Sequence, residues 1–154
     1  MSLPSLVLLR KFWPHDLSEV FRITTDVFKE TYLPNIFLEL HARWPQGVMV
    51  IEDRGRVQGF IAGTMTSHTQ ARILLLGVVR GYRRRGFGSM LLKEFIREAE
   101  RMGASAITLE VRVSNPKAID FYRKHGFDIT GLIPNYYNDG EDAFVMGRTI
   151  QWNI

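Results

Sequence analysis

The sequence predicts an α/β fold of the α+β kind, a mostly antiparallel sheet flanked by helices, and three observations predict it. Apolar runs at residues 48–53, 57–64 and 73–79 follow one another with only short polar breaks, which reads as three consecutive antiparallel strands. A strongly amphipathic pattern over residues 87–102 reads as a helix. Residues 107–113 then alternate apolar and polar side chains, the period of a strand whose two faces meet different surroundings.

Taken in order, residues 6–12 form a first strand. Asp16, with Glu19 three residues on, gives a capping-box-like start to a helix that turns Leu17, Val20, Val27 and Phe28 inward. A second short helix follows Pro34, and Arg54-Gly55-Arg56 has the character of a hairpin turn between the next two strands. In the amphipathic helix Leu91, Leu92, Phe95, Ala99 and Met102 recur at three- and four-residue steps. Lys93, Glu94, Arg97, Glu98 and Arg101 face outward, and Gly103 stops the helix. In the alternating strand Ile107, Leu109, Val111 and Val113 share one side, so Glu110 faces away from the aliphatic set. Asn115-Pro116 reads as the N-cap and first residue of a short helix carrying Ile119 and Tyr122, ended by Gly126. Residues 127–133 and 143–150 make a final pair of strands, and Asp139-Gly140 between them signals a tight turn.

A chain of 154 residues with 45% hydrophobic content can bury one core, so a single domain over residues 1–154 is expected. No apolar stretch approaches the roughly 18 residues of a membrane helix, and the run at Leu6 to Leu9 is too short for a signal-peptide core. A soluble, cytoplasmic protein without membrane attachment is the expectation. The absence of cysteine excludes disulfides, thiolate metal sites and a cysteine nucleophile. His15, His41, His68 and His125 show no metal-ligand spacing, and no metal is expected. The net charge of +4 invites a nucleic-acid reading, but Arg80, Arg83, Arg84 and Arg85 crowd one loop. Basicity so localised suits a phosphorylated small ligand at least as well.

That loop, Arg83-Arg84-Arg85-Gly86-Phe87-Gly88-Ser89, joins the strand at 73–79 to the amphipathic helix. Glycines at positions 86 and 88 let a ligand approach the main chain, so several N–H groups at a helix N-terminus can converge on one anion. The arginines add fork-shaped donors. A nucleotide-hydrolysing loop would need Lys and then Ser or Thr directly after its last glycine, and none follows. A dinucleotide fingerprint fails as well, because its third glycine position holds Leu91 and the preceding strands read as hairpins.

The chain resembles the GCN-five-related N-acetyltransferases, the GNAT superfamily, whose acetyl-coenzyme A signature is Arg or Gln, two residues, Gly, one residue, then Gly or Ala. Arg83, Gly86 and Gly88 fit it. The stretches Leu109-Glu110-Val111-Arg112-Val113-Ser114-Asn115 and Ala118-Ile119-Asp120-Phe121-Tyr122, together with Asn135-Tyr136-Tyr137, narrow the likeness. It is to the protein N-terminal acetyltransferases, both the catalytic subunits of archaea and eukaryotes and the bacterial RimI-type enzymes. The resemblance implies a sheet split between the strand ending near Val79 and the strand holding Glu110, with about four flanking helices and acetyl-CoA in the wedge. It implies cofactor contacts from Val78 and Val79 to the pantetheine arm, from Arg83, Arg84, Arg85, Gly86, Phe87, Gly88 and Ser89 around the pyrophosphate, and from Asn115 and Tyr122. Phe28, Tyr32, Tyr136 and Tyr137 are implied to border the peptide, and coenzyme A to be the product. Substrates would be protein or peptide N-termini, with association with the ribosome left open.

Acetyl transfer to an amine needs a neutral nucleophile, support for an oxyanion and a proton for the departing thiolate. Glu110 is the base candidate, acting through a water, and Tyr122 the acid candidate. Bland alternatives stand beside them: Glu110 as an ordinary outward-facing strand residue, and Tyr122 as a half-buried aromatic of an amphipathic helix. Without cysteine, transfer should be direct, within a ternary complex. Two rival functions also stand, acetylation of polyamines or other small amines and a basic nucleic-acid-binding module. Phosphate neutralisation alone would not require Gly86 and Gly88.

Overall fold

The computed structural model describes residues 6–28, 32, 34–83 and 85–150. The chain runs β1 (Val7–Lys11), α1 (Leu17–Val27), α2 (Asn35–Arg43), β2 (Val48–Asp53), β3 (Arg56–Met65), β4 (Gln70–Val78), α3 (Phe87–Arg101), β5 (Ala106–Arg112), α4 (Pro116–Lys124), β6 (Asp128–Ile133) and β7 (Ala143–Thr149). Seven strands form one sheet in the order β1-β2-β3-β4-β5-β7-β6. β1 to β4 are antiparallel neighbours, β4 and β5 run parallel, and β7 pairs antiparallel with β5 and β6. The mixed, mostly antiparallel sheet with four helices is the fold the sequence predicts.

Periodicity explains which face each helix covers. α3 presents Leu91, Leu92, Phe95 and Ala99, all fully buried, to one face of the sheet, where Ile73, Ile107, Leu109, Val111 and the α4 residue Ile119 meet them. Each large side chain so buried contributes roughly 1.5–3 kcal/mol. α1 and α2 cover the opposite face with Val20, Ile23, Phe37 and Leu40 against Val50, Phe60 and Leu75. The two faces are called here the α3 face and the α1 face.

One irregularity in β4 shapes everything downstream. Ala62 pairs with Leu75 and Gly63 with Ile73, so Leu74 is an extra, bulged residue. A bulge bends its strand and increases local twist. Leu74 and Leu75 consequently both pack toward the α1 face, while Ile73 and Leu76 pack toward the α3 face. The β4–β5 ladder ends just before the bulge: its rungs are Gln70 with Ala106, Ala71 with Ile107 and Arg72 with Thr108. Beyond them the two strands part.

The start of α1 departs from the capping box read in the sequence. Asp16 is the N-cap but its side chain makes no capping bond to α1. Its carboxylate instead accepts from the Trp13 amide at 2.8 Å and from Arg10 Nη1 and Nη2 at 2.8 and 2.9 Å. Glu19 reaches away from the helix start, accepting from the Val57 amide at 2.9 Å and from Arg56 Nε at 3.2 Å. Both carboxylates tie α1 to the sheet. Burial alone would raise the Asp16 carboxyl, but hydrogen bonds from Arg10 and Trp13 outweigh it and hold the group below its ordinary range.

Two outcomes follow. A carboxyl depressed in the folded state adds stability above its unfolded pKa of about 3.9 and loses it as pH falls through the folded value. Thermal melts between pH 5 and pH 2 should therefore show a shallower acid loss in Asp16→Asn than in the parent protein. At the bulge, a Cβ on Gly63 would lie 2.5 Å from both the Arg72 carbonyl and Phe95 Cε2. Gly63→Ala is expected to lower stability by about 1–3 kcal/mol in urea denaturation.

Candidate active site

The parted strands leave two bare backbone edges. The Val79 amide donates to the Gln58 carbonyl at 2.8 Å, which makes 58/79 a hydrogen-bonded pair. By the antiparallel alternation Gly59/Val78 is then a non-hydrogen-bonded pair, and the N–H and C=O of Val78 face away from β3 into the opening. The Val79 carbonyl accepts from the Tyr82 amide at 2.8 Å, so both polar groups of Val79 are engaged internally and Val78 offers the open edge. On β5 the Val113 amide donates to Asp142 and the Ile150 amide to Ser105. That phase turns the backbone groups of Glu110 toward β4, while further along the Arg112 carbonyl accepts from the Asn115 amide at 3.0 Å. The opening is therefore lined on both sides by strand edges that can bond an extended amide chain between them.

At the α3 face the opening ends on the glycine loop. Gly86 is the N-cap of α3 in the left-handed region at φ +81°, with open space where a Cβ would stand. The N-cap glycine has no side chain to cap the helix and no acidic residue sits in its first turn, so among the described residues the amides of Phe87, Gly88 and Ser89 are bare and the dipole is uncompensated. A Cβ on Gly88 would lie 3.4 Å from Phe121 and 3.9 Å from Val78. The mouth of α3, the end of β4 and the face of α4 thus converge. These features fit a diphosphate followed by an amide-bearing arm.

The loop arginines do different work. Arg85 lies over the stacked rings of Tyr82 and Phe87, 4.9 and 5.3 Å from their centroids, and pairs at 3.5 Å with the buried Asp53. Its side chain braces the loop. Phe87 is itself buried, leaving its amide for a ligand, whereas Arg83 is exposed. Arg84 lies outside the described residues. Asn115 caps α4, its Oδ1 accepting from the Ala118 amide at 3.2 Å. Tyr122 packs on Phe121 and Phe127, with ring centroids 5.2 and 5.7 Å away, and burial pushes its phenol well above the ordinary value. The hydroxyl has no hydrogen-bond partner among the described residues and remains protonated at neutral pH.

Across the opening, on the α1 face, stands Glu110. Arg72 Nε donates to its Oε2 at 3.1 Å, while Arg72 Nη2 donates to the Tyr136 hydroxyl at 3.0 Å. Glu110 Oε1 keeps no partner among the described residues. Tyr136 meets Tyr137 edge to face at 4.9 Å, and Arg112 lies 4.1 Å from the Tyr137 ring centroid. Arg112 also donates to Asp139 at 2.9 Å and to Glu141 at 2.6 Å, latching the β6–β7 loop to β5. Burial first, then the neighbouring Tyr136 and Tyr32, push the Tyr137 phenol upward. Phe28 and Tyr32, the described residues of segment 28–33, pack edge to face at 5.9 Å, and Phe28 lies against Gly77 of β4. Beside them Asp26, Val27, Val79 and Arg80 line a cleft of about 370 Å³.

The structure thus gathers Phe28, Tyr32, Glu110, Tyr136 and Tyr137 on one side of the opening and Gly86, Gly88, Asn115 and Tyr122 toward the other. Sequence reasoning missed Arg72 and the Arg112 latch. The signal for Arg72 was present as the lone charge in residues 71–79, an otherwise apolar strand.

Residues 14–127 match the Acetyltransferase (GNAT) family. The chain is 30% identical over 147 residues to an N-alpha-acetyltransferase of Sulfurisphaera tokodaii, covering 88% of each protein. Its fold is similar to the crystal structure of Ard1 from Thermoplasma volcanium, with 40% identity, a TM-score of 0.92 and coverage of 95% of this chain and 99% of that one. It is also similar to Naa50 of Arabidopsis thaliana in complex with the bisubstrate analogue CoA-Ac-MVNAL, with 27% identity, a TM-score of 0.85 and coverage of 94% and 99%. A bare helix mouth, an opened sheet and these likenesses agree: the chain belongs to the acetyltransferase (GNAT) family and is an acetyl-CoA-dependent N-acetyltransferase.

Proposed function

We propose that the protein acetylates the α-amine of peptide and protein N-termini by direct attack within a ternary complex. One observation carries this reading. Glu110 and the tyrosines stand on the α1 face of the opening, and the bare amides and Tyr122 stand toward the α3 face, so an amine and a thioester entering from opposite faces meet in the gap. Relatives support a peptide substrate: one is an N-alpha-acetyltransferase, and another binds an analogue that joins coenzyme A to a peptide.

Acetyl-CoA supplies an activated acyl carbon and a thiolate leaving group. The chain supplies the rest. Amides of residues 87–89 hold the diphosphate, and the Val78 edge aligns the arm. Glu110, with one oxygen fixed by Arg72 and the other open, takes the proton that the amine sheds as its nitrogen bonds to the acyl carbon. Tyr122, kept protonated by burial, gives its proton to the sulfur as the carbon–sulfur bond breaks. An α-amine of pKa about 7.7–8.0 is about a tenth neutral at pH 7, whereas a lysine near 10.4 is neutral roughly four times in ten thousand. Modest base assistance suffices for an N-terminus. A cytoplasmic setting suits such a substrate.

Short peptides with free and with blocked N-termini test the proposal, with acetylation of the free set alone expected. Equal acetylation of blocked peptides through lysine, or polyamines turned over far better than any peptide, would overturn it. Glu110→Gln and Tyr122→Phe should each lower kcat by about 10²–10⁴-fold while leaving acetyl-CoA affinity near its parent value. Gly86→Glu places a carboxylate at the helix mouth in a left-handed conformation, and calorimetric titration should find acetyl-CoA binding abolished with the circular dichroism unchanged.

A further inference from the structure

We propose that Arg72 is a positioning residue for acetyl transfer, holding the Glu110 carboxylate and the Tyr136 hydroxyl in one fixed relation across the root of the β4–β5 opening. The inference rests on the reading of Glu110 as the base. Arg72 is itself fixed on both sides. Its backbone pairs with Thr64 of β3 and with Thr108 of β5, the last rung before the strands part, and Leu74 bulges two residues later. The guanidinium therefore projects from the most constrained point of the opening.

Its two hydrogen bonds go to different segments. Glu110 lies 38 residues away on β5 and Tyr136 lies 64 residues away in the β6–β7 loop. Because the guanidinium is planar and its donors form a rigid fork, fixing Nε on Glu110 also fixes where Nη2 points, and so where the Tyr136 hydroxyl sits. A lysine at this position offers one compact charge and cannot hold two acceptors at a set angle. The contrast with Arg97 and Glu94, neighbours on one turn of α3, is plain. That exposed pair ties a helix to itself, whereas Arg72 joins β4, β5 and a loop. Tyr32, Tyr137 and Arg112 are among the titratable and charged groups near it. Tyr137 is held by Arg112 and meets Tyr136 edge to face, so the loop has two guanidinium anchors, one from each parted strand.

The arrangement gives Arg72 two separable effects. Through Glu110 it orients the oxygen left open toward the amine, which bears on kcat. Through Tyr136 it sets the loop over the peptide, which bears on the peptide KM. Steady-state kinetics with a free-N-terminal peptide on Arg72→Gln, Arg72→Lys, Tyr136→Phe, Glu110→Gln and the double variant Arg72→Gln/Glu110→Gln separates them. Arg72→Gln is expected to lower kcat about tenfold or more and to raise the peptide KM, with acetyl-CoA affinity unchanged. Arg72→Lys should restore most of kcat but not the peptide KM. Tyr136→Phe should raise the KM alone. In the double variant the loss of kcat should be close to that of Glu110→Gln by itself, since the two residues act as one unit.

Additive losses in the double variant, or parent kinetics in Arg72→Gln, would overturn the proposal while leaving Glu110 as the base. Full activity in Glu110→Gln would remove the base assignment and this role of Arg72 with it. Should Arg72→Gln fail to fold, Arg72→Lys carries the test: a raised peptide KM at near-parent kcat supports the proposal, and unchanged KM overturns it.

Discussion

The site depends on two parallel strands that stop pairing. Three rungs hold β4 to β5, and then a single bulged residue, Leu74, bends β4 out of register with its neighbour. An unpaired strand edge inside a protein is costly unless something satisfies it, and here two such edges face one another. That cost is the basis of function. The N–H and C=O groups of Val78 and Glu110 are left for a ligand with the spacing of a strand, and the wedge between them is the passage connecting the two faces of the sheet.

Everything else arranges chemistry around that passage. The α3 face brings the phosphate end to it, because Gly86 permits a left-handed N-cap that has no side chain of its own to cover the first amides. The α1 face brings the amine end, because the tyrosine loop is latched to β5 by Arg112 and to β4 by Arg72. Arg72 bonds Tyr136 and Arg112 lies over Tyr137, and each springs from a different lip of the opening. Acid and base candidates thus lie on opposite sides of the sheet, which suits a reaction whose nucleophile and leaving group approach from opposite directions.

Much of this was legible in the sequence, and the reason differs from element to element. α3 declared itself through the spacing of Leu91, Leu92, Phe95 and Ala99, and the outward turn of Glu110 through the alternation around it, because both signals are local. Asn115-Pro116 likewise marked the start of α4 correctly. Asp16 and Glu19 misled, since a capping-box spacing looks the same whether the carboxylates cap their own helix or reach Arg10 and Val57 in the sheet. The Leu74 bulge was invisible for a related reason: in a run that is apolar on both faces, a slip of one residue leaves no change of pattern. Arg72 lay just outside the run read as the strand, residues 73–79, and drew no reading. Its partners, far along the chain, could be named only once β5 and the loop were in place.

Amide hydrogen exchange, resolved by residue with and without acetyl-CoA, tests the opened edge most directly. Val79 donates to Gln58 whereas its neighbour Val78 faces the gap, so in the free protein Val79 should be protected and Val78 should exchange quickly. Acetyl-CoA should then slow Val78 by about tenfold or more, together with the amides of Phe87, Gly88 and Ser89. Equal protection of Val78 and Val79 in the free protein, or no change at Val78 on adding saturating acetyl-CoA, would contradict the account.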